Sequence, residues 1–354
     1  MNFDLLKRLC ETPGISGSEE PIRRAVAAEM RPFVDTLDVD AMGSIIGTKP
    51  GNTGGPRVMI AAHIDEIGFR VRHIDDRGFI RISPVGGWDP RNLVSQRVFV
   101  HGFAGQSLRG TLSPNAKPRH LLTGDEGSKG AKLEELFVDL GLPVDEVKEL
   151  VEVGDAVTME RTSEIVGKTI VSKTLDDRIG VYIMIEALRK LQGTSIPSTV
   201  LAVATTQEEV GLRGAIPAAY ALKPDVGIAV DITVAYDVPG SGAEDRITAL
   251  GDGVAIKISD TSLICHPKLV RHFRDIAQEK GIKHQLEMLP YGGTDAGGIQ
   301  RSRGGVPSIT LSIPTRYPHS VNEMANMADI QATIDLLVAY LEVAHTGKYG
   351  YSLD

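Results

Sequence analysis

Thr199-Val200-Leu201-Ala202-Val203-Ala204 and Val226-Gly227-Ile228-Ala229-Val230 decide the fold, because each is a short, unbroken apolar run with the pattern of a strand buried on both faces. Residues 177–191, just before the first run, predict a helix, and from residue 165 onward helical and strand-like segments alternate. That alternation predicts an α/β fold with a mixed, largely parallel sheet. Towards the N-terminus, residues 58–62 form another apolar run that follows a Gly/Asn/Thr-rich turn at 51–55 and ends at His63. Before it, Ile22, Val26, Met30 and Phe33 recur at helical spacing behind Pro21, with Ser18 as the expected cap. Towards the C-terminus, residues 306–313 predict a strand and residues 330–343 a closing helix with apolar Ile334, Leu337, Tyr340 and Leu341.

Between residues 68 and 165 the texture differs. Apolar and polar residues alternate around Phe69, Val71, Phe79 and Ile80, with Asp75-Asp76-Arg77-Gly78 as a turn, so this stretch predicts a small β domain. Residues 113–132 are rich in Gly, Pro, Ser, Lys and Asp and lack any period, which predicts a long mobile loop. The 354 residues exceed what one hydrophobic core usually serves, in keeping with a large unit and a smaller one.

Composition narrows the function classes. Hydrophobic residues make up 42% and charged residues 24%, an ordinary globular balance. The net charge of -8 and the absence of a long Lys/Arg block argue against a nucleic-acid partner. Cys10 and Cys265 stand alone, so neither a disulfide framework nor a thiolate zinc cluster is expected. Asp4, Lys7, Arg8 and Glu11 interrupt any leader-like apolar stretch, and no run approaches the roughly 20 apolar residues of a membrane span. A cytoplasmic protein that does not enter the membrane is expected.

His63, the pair Glu208-Glu209, Asp231 and His319 each lie at or just past the end of an apolar run, and in open α/β sheets the carboxyl ends of strands are where ligands bind. Asp176 joins them from the start of a predicted helix, where unpaired N–H groups favour negative charge. Singly, each has an ordinary reading as an exposed or hydrogen-bonded side chain. Together they do not, since several carboxylates gathered at strand ends are costly without a neutralising cation. Two imidazoles with three carboxylates suit zinc, cobalt or manganese better than calcium, and a carboxylate bridge would hold two such ions. Of the adjacent acids Glu208 and Glu209, one would bind metal and one would move protons. Asp65, two residues past His63, is placed to bond the other imidazole nitrogen. Gly292-Gly293-Thr294-Asp295-Ala296-Gly297-Gly298 reads two ways: a close-approach loop presenting Gly293, Thr294 and Asp295 to substrate, or a glycine-rich helix start capped by Asp295. The other seven histidines lack acidic companions and are assigned to structure.

Over nearly its whole length the chain resembles the co-catalytic metallo-aminopeptidases that include glutamyl aminopeptidase and the tetrahedral TET enzymes, some of them once labelled endoglucanase M. The resemblance rests on Ala62-His63-Ile64-Asp65-Glu66-Ile67-Gly68, Leu175-Asp176-Asp177-Arg178, Gln207-Glu208-Glu209-Val210-Gly211, Val230-Asp231, Gly292-Gly293-Thr294-Asp295-Ala296 and Tyr317-Pro318-His319-Ser320. It implies a three-layer catalytic domain from residues 1–68 and 165–354, and an inserted small β-barrel-like domain, 69–164, that serves oligomerisation. It implies two divalent ions per subunit, zinc or cobalt with manganese as an alternative. His63 and Asp231 would hold one, Glu209 and His319 the other, with Asp176 as the bridge, Glu208 as general base and Asp65 behind His63. It further implies short peptides with a free N-terminus as substrates and a homo-oligomer, a dodecamer. Gly86-Gly87-Trp88-Asp89-Pro90, with the sole Trp, resembles a family motif and is assigned to architecture.

Two rivals remain on the sequence. Glycoside hydrolysis by a carboxylate pair needs no metal and would leave both histidines idle. A non-catalytic assembly module on the same fold would be marked by a lost ligand, and none is lost.

Overall fold

The computed structural model describes residues 1–115, 120 and 131–353. An 11-stranded sheet runs in the order β1 (Thr36–Val39), β2 (Ile45–Lys49), β12 (Thr199–Thr205), β3 (Arg57–His63), β13 (Val226–Val234), β16 (Ser308–Arg316), β17 (Glu323–Asn326), β11 (Thr169–Ser172) and β10 (Glu164–Val166). Off this path, β14 (Val254–Ser259) pairs antiparallel with β16 and parallel with β15 (His284–Met288). The four central strands β12, β3, β13 and β16 are mutually parallel, and the flanking pairs are antiparallel. The central runs are apolar on both faces because both faces are covered. Val58, Ile60, Val200 and Ala202 pack with helices α1 (Phe3–Glu11), α2 (Glu20–Met30), α4 (Leu175–Lys190), α6 (Pro267–Glu279) and α8 (Met327–Val343). Met59, Ala61, Leu201 and Val203 face α5 (Ala215–Leu222) and α7 (Asp295–Gln300) on the other side.

The alternating stretch folds into a second sheet, a closed antiparallel barrel β4-β5-β8-β7-β6-β9 (Gly68–Ile74, Ile80–Val85, Leu136–Asp139, Ser107–Pro114, Gln96–His101, Ala156–Met159), with α3 (Val144–Leu150) packed on it. Inward Val71, Ile82, Val98, Val100, Leu112, Val138 and Val157 make its own core, and closure leaves no unpaired edge. Both strands that enter and leave it adjoin the large sheet's carboxyl ends: His63 to Gly68 leads in, and β11 leads back to Asp176.

Several local expectations need correcting. Ser18 does not cap α2: Glu19 precedes the helix without a side-chain cap, and the Ser18 hydroxyl accepts from Arg70 at 3.1 Å. The strand expected at 306–313 begins at Ser308, and β13 continues past Val230 so that Asp231 lies inside it. Its pairing with β3 stops at Ala229, however, so Asp231 still emerges where the neighbouring strand ends. Of the mobile loop expected at 113–132, Ser113 and Pro114 belong to a barrel strand, and 116–119 and 121–130 lie outside the described residues. Among the described residues no helix is long and apolar enough to cross a membrane.

Candidate metal centre

Parallel packing brings β3, β12, β13 and β16 side by side, and the chain turns sharply after β12 and after β16. Gln207, before the Glu pair, and His319, three residues past β16, both take left-handed backbone angles, with φ of 55° and 56°. Asp176 and Asp177 depart from helical geometry within the first turn of α4. These departures aim the side chains inward and are held by the surrounding structure.

His63 Nε2 lies 3.1 Å from Asp176 Oδ1, and His319 Nε2 lies 3.2 Å from Asp176 Oδ2. One carboxylate therefore faces both imidazoles. Donor atoms of His63, Asp176 and Asp231 fall within 4.8 Å of one another, as do those of Asp176, Glu209 and His319. The Glu208 carboxylate stands 3.8 Å from His63 Nε2 and lines the open cleft. Each imidazole is oriented from behind by a carbonyl: His63 Nδ1 is 3.0 Å from the Asp65 carbonyl, and His319 Nδ1 is 2.8 Å from that of Gly87. A carbonyl only accepts, so Nδ1 carries a proton in both rings, and Nε2, which faces Asp176, is the nitrogen that would bind a cation once its own proton is displaced.

Two expectations change here. The nearest partner of His63 Nδ1 is the Asp65 carbonyl, and the Asp65 carboxylate pairs with the same nitrogen at the longer distance of 3.5 Å. That carboxylate also accepts from the backbone N–H of Glu208 at 3.0 Å and of Glu209 at 3.2 Å, and from the Ser16 hydroxyl at 2.6 Å. The Gly86-to-Pro90 motif is more than architecture, since Gly87 orients His319 and Gly87, Trp88 and Asp89 line the cleft. Trp88 is fixed by stacking on Phe69 and by donating to the Gly68 carbonyl at 3.0 Å.

The cleft, about 780 Å³, runs from these residues past Ile232, Val234, Leu289 and Tyr291. Gly293 and Thr294 line it, whereas Asp295 does not. Asp295 is the first residue of α7, not its cap; its buried carboxylate accepts from the Thr205 hydroxyl. Arg316, the basic residue nearest His319 in sequence, pairs with Asp237 at 2.6 Å outside the cleft lining.

Charge in the site is unbalanced. Burial together with the Asp176 carboxylate raises Glu209 to about 8, and burial with neighbouring acids holds Glu208 and Asp231 well above the carboxylate range. Asp176 is the exception: burial pushes it up, but hydrogen bonds from His319 and His63 hold it below its ordinary value. Burial opposes the charged form of His319, yet the Asp176 hydrogen bond and Glu209 raise it to about 10. His63 is raised likewise, with Glu208 the strongest influence against burial. Glu209 Oε1 is buried with no hydrogen-bond partner. This is the pattern of carboxylates that want a cation.

Sequence reasoning missed several supports. Glu323 accepts from the backbone N–H groups of Asp176 and His319, and Asp177 accepts from that of His63 at 3.2 Å. Glu66 pairs with Lys173 at 2.5 Å and with the Thr174 hydroxyl at 3.0 Å, pinning the segment that leads into Asp176. Their only trace in sequence is nearness to the site residues.

The chain is 35% identical over 352 residues to the lysyl aminopeptidase of Pyrococcus furiosus, covering 97% of each chain. An aminopeptidase structure from the archaeon Desulfurococcus kamchatkensis matches with a TM-score of 0.91 and 40% identity, over 96% of this chain and 94% of that one. The Pyrococcus horikoshii TET1 peptidase, described as able to assemble into a tetrahedron or a large octahedral shell, matches with a TM-score of 0.85 and 34% identity, over 96% and 98%. Residues 43–336 match the model of the M42 glutamyl aminopeptidase family. With that match spanning most of the chain, and with these relatives, the chain belongs to the M42 glutamyl aminopeptidase family and is a peptide hydrolase of the aminopeptidase class.

Proposed function

We propose that this aminopeptidase removes single residues from the free N-terminus of short peptides at two divalent cations, zinc or cobalt with manganese as an alternative. His63 and Asp231 would hold one, Glu209 and His319 the other, and Asp176, a member of both donor groups, would serve both. The observation that carries the reading is the double placement of Asp176, one oxygen 3.1 Å from His63 Nε2 and the other 3.2 Å from His319 Nε2. The donors fit the ions: imidazole nitrogens and carboxylate oxygens with no thiolate, an unpartnered buried Glu209 oxygen, and a crowd of acids.

Bound cations would supply Lewis acidity, polarising the scissile carbonyl and lowering the pKa of water. The residues do the rest. Glu208, bare on its cleft side, takes the proton of the attacking water and returns it to the leaving amine, acting as general base and then general acid. The Asp65 grip on both backbone amides of the Glu pair keeps Glu208 aimed at the water while Glu209 stays with the other donors. The peptide lies in the cleft that Gly293 and Thr294 help to line, and the apolar Ile232, Val234 and Leu289 of the same lining exclude water from it. The protein self-associates into a homo-oligomer, a reading supported by the shells described for the Pyrococcus horikoshii relative, and the barrel is the part assigned to that contact. A dodecamer would be twelve times 38.0 kDa, about 456 kDa, in light scattering.

The test is hydrolysis of paired free and N-acetylated peptides before and after EDTA and after returning zinc, cobalt or manganese, with Glu208→Gln alongside. Cleavage confined to free N-termini, lost with chelator, restored by metal, and reduced about 10²- to 10⁴-fold in Glu208→Gln is expected. Equal cleavage of acetylated peptides, or chelator-resistant hydrolysis of glucans instead of peptides, would overturn it.

A further inference from the structure

Buried carboxylates recur behind this site, each gripping backbone amides. Asp65 holds the N–H groups of Glu208 and Glu209, and Asp177 holds those of His63, at 3.2 Å, and Gly180, at 3.0 Å. Glu323 does this between two distant segments. Its Oε2 accepts from the N–H of Asp176 at 3.1 Å, 147 residues away, and its Oε1 from the N–H of His319 at 2.9 Å, four residues away. It is the first residue of β17, 2% exposed, in register opposite Ser172 of β11. The strand pairing thus fixes the carboxylate between the segment that delivers Asp176 and the loop that delivers His319.

That loop needs holding. Tyr317 and His319 both have left-handed backbone angles, with φ of 58° and 56°, unfavourable for side chains of this size. Besides the Gly87 carbonyl on its ring, Glu323 is the anchor that ties the His319 backbone to the rest of the site. The two donor sets are anchored unequally. His63 and Asp231 emerge from the central strands β3 and β13, and His63 is held besides by Asp177 and the Asp65 carbonyl. On the other side, His319 Nε2 approaches Asp176 Oδ2 at 3.2 Å, and Glu323 accepts from the backbone amides of both residues.

We propose that Glu323 is a positioning residue for one of the two cation sites, the one formed by Asp176, Glu209 and His319, and that its carboxylate sets the spacing of Asp176 and His319 by bridging their backbone amides. The inference rests on the two-cation reading above.

The experiment is titration of metal-free wild type, Glu323→Gln and Glu323→Asp with cobalt(II), read by calorimetry for stoichiometry and affinity and by visible absorption for coordination. Glu323→Gln keeps the shape but must turn an NH₂ towards one of the two amides. Glu323→Asp keeps both accepting oxygens and draws them back by one methylene. Wild type should take up two ions. Because Asp176 belongs to both donor sets, each variant should bind the ion at His63 and Asp231 less than about fivefold more weakly than wild type and the ion at Glu209 and His319 about 10- to 100-fold more weakly, with the absorption altered chiefly for the latter. Thermal melting of the metal-free variants separates misfolding from a local effect, and the milder Glu323→Asp carries the test should Glu323→Gln not fold. Two ions bound as in wild type, or both weakened equally in a folded variant, would overturn the role of Glu323. Fewer than two ions in wild type would overturn the two-cation reading itself, and this proposal with it.

Discussion

Replacing Asp65 by Asn separates anchoring from ligation, because Asp65 belongs to neither donor set and its side chain stands 3.5 Å from His63 Nδ1. Its carboxylate accepts at 3.0 and 3.2 Å from the amides of Glu208 and Glu209 and at 2.6 Å from Ser16. Asn has nearly the same shape but only one accepting oxygen, so its NH₂ must face one of two N–H donors. The structure thus loses one hydrogen bond to a charged group, about 1.5–3 kcal/mol, and turns it into a donor–donor contact. The carbonyl that orients His63 is untouched, so the loss falls chiefly on the aim of the Glu pair, and the parallel metal titration reads the effect of removing the charge 3.5 Å from His63 Nδ1. Expressed in the transition state, 1.5–3 kcal/mol corresponds to roughly a 10- to 150-fold drop in kcat/KM. The assay is steady-state hydrolysis of a free aminoacyl peptide at saturating metal, with metal affinity measured in parallel. We expect the loss to lie in kcat, with KM changed less than about threefold, since Glu208 acts on the water and not on the bound peptide. A kcat within about twofold of wild type in a correctly folded Asp65→Asn protein would refute the argument that these two backbone bonds aim the base.

Gly180→Ala should destabilise the protein by about 1–3 kcal/mol, because its Cβ would sit 2.4 and 2.5 Å from the Asp177 carboxylate and 2.5 Å from the Val230 carbonyl; chemical denaturation reads this, and wild-type stability would contradict it. The metal-free protein should lose stability as pH rises from about 6 to 9. Glu209 and Glu323, both raised to about 8, and His319, raised to about 10, bind more protons folded than unfolded there, so folding releases less stability as those protons leave. Metal displaces the same protons, so the gap in melting temperature between metal-loaded and metal-free samples should widen with pH; a gap that narrows would contradict the charge imbalance. Trp88 is the only Trp and lines the cleft, so its fluorescence should change when a slowly cleaved peptide binds, and an unchanged spectrum at saturation would place the peptide elsewhere.

Much of this was legible in linear form. The apolar runs at 58–62, 199–204 and 226–230 lie on strands of the sheet, and the alternating stretch became a barrel, because strand burial on one face or two leaves a period that local sequence carries. The residues expected to hold metal could be picked out because strand ends are where parallel sheets open, and the structure brings His63, Asp176, Glu209, Asp231 and His319 together. What remained hidden has a common cause. Glu323 meets Asp176 across 147 residues, Gly87 meets His319 across 232, and Asp65 meets Glu208 across 143. Each of these is a side-chain or carbonyl contact with a single backbone group or ring nitrogen, so it imposes no period and favours no neighbouring residue type. Sequence by itself determined which elements form and which chemically apt residues end them. Only the tertiary structure decided which carbonyl orients each imidazole and which carboxylate holds each loop, because those pairings follow from how strands lie side by side and not from what precedes or follows them along the chain.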